Sequence, residues 1–443
     1  MAETPSNDFG ADKPLQSTNG ALDPVQAPVS NMNGYAQAAD QSLPSSVVVN
    51  PSEGTMPLDA DGHTISADEI ALYDRQIRLW GVKAQEKIRQ ANILLIGIKA
   101  LGNEIAKNLV LAGVGTLTVL DHEPLSEDDL ASQFFVSEDQ VGQNRAQAAL
   151  PEIQKLNPRV SLYADTDPAI TKEPVYFSNY DITIATGLPL ELLSTINVAC
   201  RMSGRKFYAA DAHGMYGYVF ADLVVHDFVV ERERGNLATK PMVPETTTRT
   251  IVAVTTKREN NKTIEVVTKQ EVYSPLLLAN SSPLPPEASK NARTRLRVSP
   301  LVSCLRALFD FQKETGGCLP GHNQADLVLF TRLANEKHLE LQLPIETLRA
   351  EFLRSFLQNL GSEISPVVAY LGGFLAQDVI NVLGQREQPL QNWLLFDGEE
   401  FKGPVYAMHP IFDDNMTAAI NQNGASQMYA APPVNGGTNG VMA

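Results

Sequence analysis

The chain has 443 residues, 43% hydrophobic and 19% charged, enough for two or three packed units at about 150 residues each. Its formal net charge of −16 argues against a nucleic-acid partner, because gripping a phosphate backbone needs a basic face. Cys200, Cys304 and Cys318 form neither a C-x-x-C pair nor an even disulfide set, so no structural zinc and no secreted scaffold is expected, and the chain reads as a reduced, intracellular protein.

Residues 1–65 are rich in Ser, Pro, Asn, Gly and Asp and hold one basic residue, Lys13, so they read as a disordered tail. The start lacks a charged segment followed by an apolar core, and no apolar stretch of about 18 residues is read elsewhere, so neither secretion nor a membrane is expected. Ser66-Ala-Asp-Glu69 is a capping box opening a helix with Ile70, Tyr73, Ile77 and Trp80 on one side, closed by Gly81.

Next comes a βαβ unit. Asn92–Ile96 is a short apolar run, Gly97 to Gly102 a tight turn, and Asn103–Ala112 a helix with Ile105, Ala106, Leu109 and Val110 at 3.6-residue spacing. Gly113 ends the helix as a left-handed cap would. A second strand, Thr116–Leu120, delivers Asp121, close to the roughly 20-residue offset at which an acid meets a ribose. Lys99 stands at the second motif glycine, where a missing side chain normally lets backbone approach phosphates, so a Lys there would fill that space.

A helix follows over Gln143–Leu156, which Pro151 must bend or restart. Tyr180–Ala185 reads as a strand, Pro189–Met202 as a helix, Lys206–Ala210 as a strand, and Gly217–Phe220 with Leu223–Val225 as further strand material. The alternation predicts a doubly wound, Rossmann-like, mostly parallel α/β sheet. From Glu231 the texture becomes basic and Pro-rich, with a hairpin predicted around Glu259-Asn-Asn261; residues 298–360 read as helices, including Leu301–Phe311 and Ala325–Glu336. A last amphipathic helix starts at Ser365-Pro366 and carries Gly372-Gly373. Two mid-helix glycines cost roughly 1 kcal/mol each against Ala, so close packing against them is expected. Asn392–Phe396 with Asp397-Gly398 closes the fold.

The run Tyr73-Asp-Arg-Gln-Ile-Arg-Leu-Trp-Gly81, the Gly97 to Asp121 unit, Val141-Gly-Gln-Asn-Arg145-Ala, Leu371-Gly-Gly-Phe-Leu-Ala-Gln-Asp378 and Phe396-Asp-Gly398 together resemble the ThiF-type adenylation fold of the enzymes that activate ubiquitin-like proteins. Within that family the chain looks most like the small, non-catalytic subunits of the SUMO-activating enzymes. The resemblance spans about residues 66–405. It implies a first adenylation segment over 66–230 and a helical segment with the closing helix and strand over 298–405; composition adds the basic insertion over 231–297 and a second disordered tail over 406–443, rich in Asn, Gln, Ala and Gly without Lys or Arg.

Catalytically competent members of the family follow the strand acid with a second acid, then an Asn-Leu-x-Arg-Gln run that handles ATP, then a Thr-Asp-Asn whose Asp is linked to magnesium. The matching segments here are Leu120-Asp-His-Glu123, Asp129-Leu-Ala-Ser-Gln133 and Thr186-Gly-Leu188. Ser132 and Gly187 thus remove a cation and a carboxylate that adenylation needs on the triphosphate, and Arg145 alone cannot rebuild a metal site. The loop Gly97, Lys99, Gly102 and Asp121 is therefore expected to be vestigial, with no cofactor and no metal held by this chain.

The resemblance implies a heterodimer with a catalytic large subunit that binds ATP and Mg²⁺, carries the thioester cysteine and recognises SUMO; this chain, inactive alone, meets SUMO through the complex. It gives Arg75 the part of an arginine finger in trans, a planar permanent charge reaching the partner's ATP; the plainer reading pairs Arg75 with Asp74 or Glu69. Nuclear residence follows from the family, with the cytoplasm open as a second location. The non-catalytic subunit of the neddylation enzyme is an alternative, although its insertion is much larger than 231–360 provides. An NAD(P)-dependent oxidoreductase with a degenerate Rossmann loop is another, which nothing near Lys99 encourages. Ser132 and Gly187 speak against a homodimeric sulfur-carrier adenylyltransferase.

Overall fold

The computed structural model describes residues 66–259 and 262–410. The predicted tail over 1–65, most of the second one and the hairpin tip at Asn260 and Asn261 lie outside the described residues.

Three helices open the described chain: α1 Ala67–Leu72, α2 Asp74–Trp80 and α3 Val82–Gln90. The Ser66 capping box forms, with Ser66 Oγ accepting the Glu69 N–H and Glu69 accepting the Ser66 N–H. The single predicted helix breaks at Tyr73, and Gly81 stops α2 at φ +85°. The βαβ unit follows as β1 Asn92–Ile96, α4 Ala100–Ala112 and β2 Thr116–Leu120, with Gly113 in the left-handed cap at φ +79°. Then come α5 Arg145–Leu156, β3 Ser161–Asp165, α6 Pro174–Ser178, β4 Ile182–Thr186, α7 Leu190–Met202, β5 Lys206–His213 and β6 Tyr216–Asp222. Helix α5 runs on through Pro151 as one element, so of the two expected outcomes, a bend or a restart, the restart does not occur.

The predicted hairpin belongs to a four-stranded sheet. Strands β7 Val225–Glu233, β8 Val243–Pro244, β9 Arg249–Glu259 and β10 Lys262–Val272 pair antiparallel in the order β7-β10-β9-β8. Buried polar groups on β10 are matched: Glu265 accepts from Thr239 and faces Arg232 at 3.7 Å, Lys269 meets Glu245 at 2.7 Å, and Arg249 pairs with Glu271, so these charges are opposed where they lie. Helices α8 Leu276–Ser281, α9 Pro286–Ser289, α10 Ala292–Arg295, α11 Leu301–Thr315, α12 Gln324–Glu340, α13 Ala350–Asn359 and α14 Ser365–Gly384 lead to β11 Trp393–Asp397 and β12 Val405–Tyr406. Tyr406 pairs with Trp393 and Met408 is buried, so the predicted tail boundary at 406 falls inside packed structure.

The main sheet has eight strands in the order β12-β11-β6-β5-β4-β1-β2-β3. Its parallel half, β3-β2-β1-β4-β5, is the doubly wound part; β6, β11 and β12 add antiparallel. Alternation along β1 splits the core into two layers. Ile93 and Leu95 pack with α4, α5 and α14, whereas Leu94 and Ile96 pack with α7, α11, α12 and α13. Both faces of the strand are covered, which is why it reads as an unbroken apolar run.

One helix among the described residues, α14, is long and apolar enough to cross a membrane, with 20 residues at mean hydropathy 1.5. This corrects the expectation that no such stretch occurs. Buried over 61% of that window, α14 lies in the core against α4: a Cβ on Gly372 would stand 2.6 Å from the Glu104 Cβ, while one on Gly373 would meet nothing within 4 Å. Only the first of the two glycines therefore serves the expected close approach.

Candidate functional site

Strand β1 lies between β2 and β4. The chain leaving β1 turns through α4 to one face of the sheet, and the chain leaving β4 turns through α7 to the other. Open α/β sheets bind ligands in the crevice at such a switch point, outside the carboxyl ends of the strands.

The backbone of the nucleotide turn is kept. Gly97 sits at φ +85°, and a Cβ there would lie 2.7 Å from Thr186 Oγ1. A Cβ on Gly102 would lie 2.1 Å from the Gly97 carbonyl oxygen, so helix and strand approach as only glycine allows. Thr186 Oγ1 ties the turn further by donating to the Ile96 carbonyl at 3.0 Å. Lys99, expected to fill the phosphate space, is the exposed N-cap residue of α4, and its charge acts on both Asp129 and Glu363.

The anion position at the α4 N-terminus belongs to Glu363. Its carboxylate accepts the N–H of Ala100 and of Leu101, at 3.1 Å to each oxygen in turn. These are two of the unsatisfied donors with which a helix N-terminus holds phosphate. Burial pushes the Glu363 carboxyl above the usual carboxylate range and Asp211 adds to that, while the two N–H donors and Lys99 pull the other way. Nothing in the sequence singled out Glu363, which lies 263 residues after Ala100. The contact is long-range, and its only local trace is the positive-φ Gly361 two residues earlier.

Asp121 is likewise committed. Its Oδ2 accepts the Ile98 N–H and an Arg145 N–H, both at 2.9 Å, and its Oδ1 accepts the Glu123 N–H at 3.0 Å. Arg145 also reaches Asp129 at 3.3 Å, and all three side chains are buried. Burial works to raise the Asp129 carboxyl, yet the Ser126 N–H and hydroxyl together with Arg145 hold it below its ordinary value. Gln133, retained from the family run, donates to the Ile98 carbonyl. Ser132 is half-buried.

Past β4, Gly187 takes φ +64°, and the nearest carboxylate is Asp211, 4.0 Å from where a Gly187 Cβ would be. One Asp211 oxygen accepts the Ala212 N–H at 2.8 Å and the other stands 3.6 Å from His213 Nε2. Among the described residues no three His, Cys, Asp or Glu side chains gather as a metal would need. Carboxylates thus dominate the crevice, the Arg145 charge is already matched, and the residues present fit a metal-bound triphosphate poorly.

Arg75 lies elsewhere. Tyr73 is buried with its hydroxyl accepting the Asn157 Nδ2–H at 2.8 Å and its ring against Gly113; Gln76 donates to the Leu111 carbonyl at 3.2 Å. Helix α2 therefore docks at the C-terminal end of α4, and the 13 residues of α4, at about 1.5 Å each, put about 20 Å between it and the Gly97 loop. Asp74 pairs with Arg78 at 2.9 Å, and Glu69 takes Arg89 and Arg159 at 3.1 and 3.2 Å. Both acids offered to Arg75 by the plainer reading are thus taken, and Arg75 is exposed with no ion pair to a described residue.

The cysteines are free. Cys200 and Cys304 are buried, and burial pushes the Cys200 thiol up to about 12 and Cys304 higher still, which makes them poor nucleophiles. Cys318 is exposed.

Known proteins resemble the chain closely. The model of the ThiF family matches residues 73–416. SUMO-activating enzyme subunit 1 of Xenopus laevis is 36% identical over 345 residues, covering 77% of this chain and 96% of that one; its Homo sapiens counterpart is 34% identical over 350 residues, covering 79% and 98%. The DNA damage tolerance protein RHC31 of Saccharomyces cerevisiae is 34% identical over 357 residues, covering 79% and 99%. A crystal structure of E. coli MccB with succinimide aligns over 77% of this chain and 73% of that one at TM-score 0.43 and 14% identity. With the family model spanning the turn, the switch point and the closing helix, the chain belongs to the ThiF family.

Proposed function

We propose that this chain is the non-catalytic subunit of a heterodimeric SUMO-activating enzyme. It supports ATP-dependent adenylation and thioester formation in a catalytic partner, and Arg75 acts in trans on the ATP bound there. The observation that carries the reading is the state of Arg75: exposed, without an ion-pair partner among the described residues, and about 20 Å along α4 from its own loop. A guanidinium placed so cannot serve this chain's crevice, but it is free to stabilise transition-state charge in a neighbour. The relatives named SUMO-activating enzyme subunit 1, matched over nearly their full length, support the choice of modifier. The committed carboxylates of Asp121 and Glu363 support a crevice that holds no ATP or Mg²⁺ itself, and the buried, high-pKa thiols of Cys200 and Cys304 support a thioester formed on the partner. Nuclear residence, with the cytoplasm as well, goes with that activity.

ATP:pyrophosphate exchange driven by SUMO tests this. Exchange is expected in the mixture of this chain with its partner, not with this chain alone, and Arg75→Ala should lower it by about tenfold or more, roughly 1.4 kcal/mol of transition-state stabilisation. Exchange by this chain alone would refute the vestigial crevice. Indifference to Arg75→Ala would leave a purely structural subunit.

A further inference from the structure

The crevice raises a question that the trans reading does not answer: what keeps a phosphate out of a turn whose backbone is intact. The loop itself does not. Gly97 and Gly102 keep the close approach of strand, turn and helix, and the exposed Lys99 brings a cation that would attract a phosphate rather than repel it. An N-terminus of a 13-residue helix opening from a glycine turn would ordinarily be free to bind an anion.

We infer that Glu363 is the specificity-determining residue of this crevice, an internal ligand that takes the place of a nucleotide's phosphate on α4, so that removing its charge reopens a site for a phosphate or diphosphate group. The inference rests on the reading of the crevice as vestigial and names the residue responsible.

Three observations support it. First, the carboxylate binds as a phosphate would, with one oxygen on the Ala100 N–H and the other on the Leu101 N–H, both at 3.1 Å. Second, the carboxylate is delivered by a fixed segment. The Ser362 carbonyl accepts the Gly214 N–H at 2.6 Å, Asn359 Oδ1 accepts the Met215 N–H at 2.9 Å, and the Gly361 N–H donates to His213 Nδ1 at 3.4 Å. These contacts pin the stretch ahead of α14 to the β5–β6 turn, so Glu363 is held over the helix end rather than free to swing aside. An internal anion fixed in this way competes at very high effective concentration against any dissolved one. Third, Asp211 lies close enough to oppose a second negative charge, and Lys99 close enough to attract one; with Glu363 neutral, Lys99 and the two freed N–H groups would face an incoming anion together.

Inorganic pyrophosphate titrated calorimetrically into the full chain tests the inference, with wild type, Glu363→Ala and Glu363→Gln compared after circular dichroism has verified the fold. Gln keeps the size of the side chain and one acceptor for the helix N–H groups, so it guards against a variant that fails to fold. The expected result is no saturable binding by wild type and at least tenfold tighter binding by either neutral variant, reduced again when Lys99→Ala is added. Folded variants that bind no better than a non-binding wild type would sink the role of Glu363 and leave the vestigial crevice standing. Saturable binding by wild type would instead overturn the vestigial reading itself.

Discussion

Arg145 stands between two carboxylates that burial would otherwise make costly. It meets Asp121 at 2.9 Å and Asp129 at 3.3 Å, and all three are nearly solvent-free. Removing one partner of a buried ion pair leaves uncompensated charge and costs about 3–5 kcal/mol. Arg145→Met should therefore destabilise the chain by that amount, read as a fall in the denaturant midpoint at neutral pH, and a loss under 1 kcal/mol would show that Asp121 and Asp129 are hydrated after all. The pH dependence has a definite sign. Asp129 is held below its ordinary value of 3.8, so its contribution is present above about pH 4 and is lost as pH falls through the lowered folded value. In Arg145→Met that acid-side loss should shrink, because the cation that helps depress the carboxyl is gone. The sequence offered Arg145 only as a cation too few to rebuild a metal site; that its charge is spent on two aspartates depends on Asp129 folding back through Ser126, which no spacing rule reveals.

At the scale of elements, strands and helices with strong period and clear punctuation were legible. Strands β1 and β2 match their predicted bounds, α4 ends at its Gly113 cap, and α14 starts at Ser365. Elements without an apolar pattern were not. Strand β3 is an edge with every residue partly or fully exposed, and α3 carries a mean composition too polar to stand out, so tertiary pairing made what propensity could not announce. The Gly372-Gly373 pair divides the same way, since one glycine serves contact between helices and its neighbour does not. Gly372→Ala would drive a methyl to 2.6 Å from the Glu104 Cβ and should destabilise the fold by about 1–3 kcal/mol, as overpacking does. Gly373→Ala meets open space and should stabilise it by up to about 1 kcal/mol, the helix-propensity difference. Thermal unfolding of the two variants side by side decides it: equal effects would mean that α14 shifts to absorb the first methyl.

For the molecule as a whole, the doubly wound architecture followed from alternating strands and helices, whereas the surface through which the chain is proposed to join a partner rests on which side chains the fold leaves uncovered. Around Arg75 it leaves several. Leu79, one helical turn on from Arg75 and on the same side of α2, is 80% exposed; Leu72 is 58% and Leu111 43% exposed, and the Gln76 bond to the Leu111 carbonyl seats α2 against the end of α4. An exposed leucine one turn from an arginine that has no ion pair among the described residues has the composition of an interface centre, where a buried anchor and an Arg carry much of the binding energy. In the proposed heterodimer Leu79→Glu should therefore leave the stability of this chain within about 0.5 kcal/mol, as substitutions at exposed positions do. It should also weaken association with the catalytic partner by about tenfold or more, roughly 1.4 kcal/mol, measured by sedimentation of the mixture across a dilution series. Exchange activity should return when the variant is supplied in excess, because Arg75 is untouched. Unchanged sedimentation of the Leu79→Glu mixture would move the partner to another face, and with it the argument that Arg75 is delivered from this one.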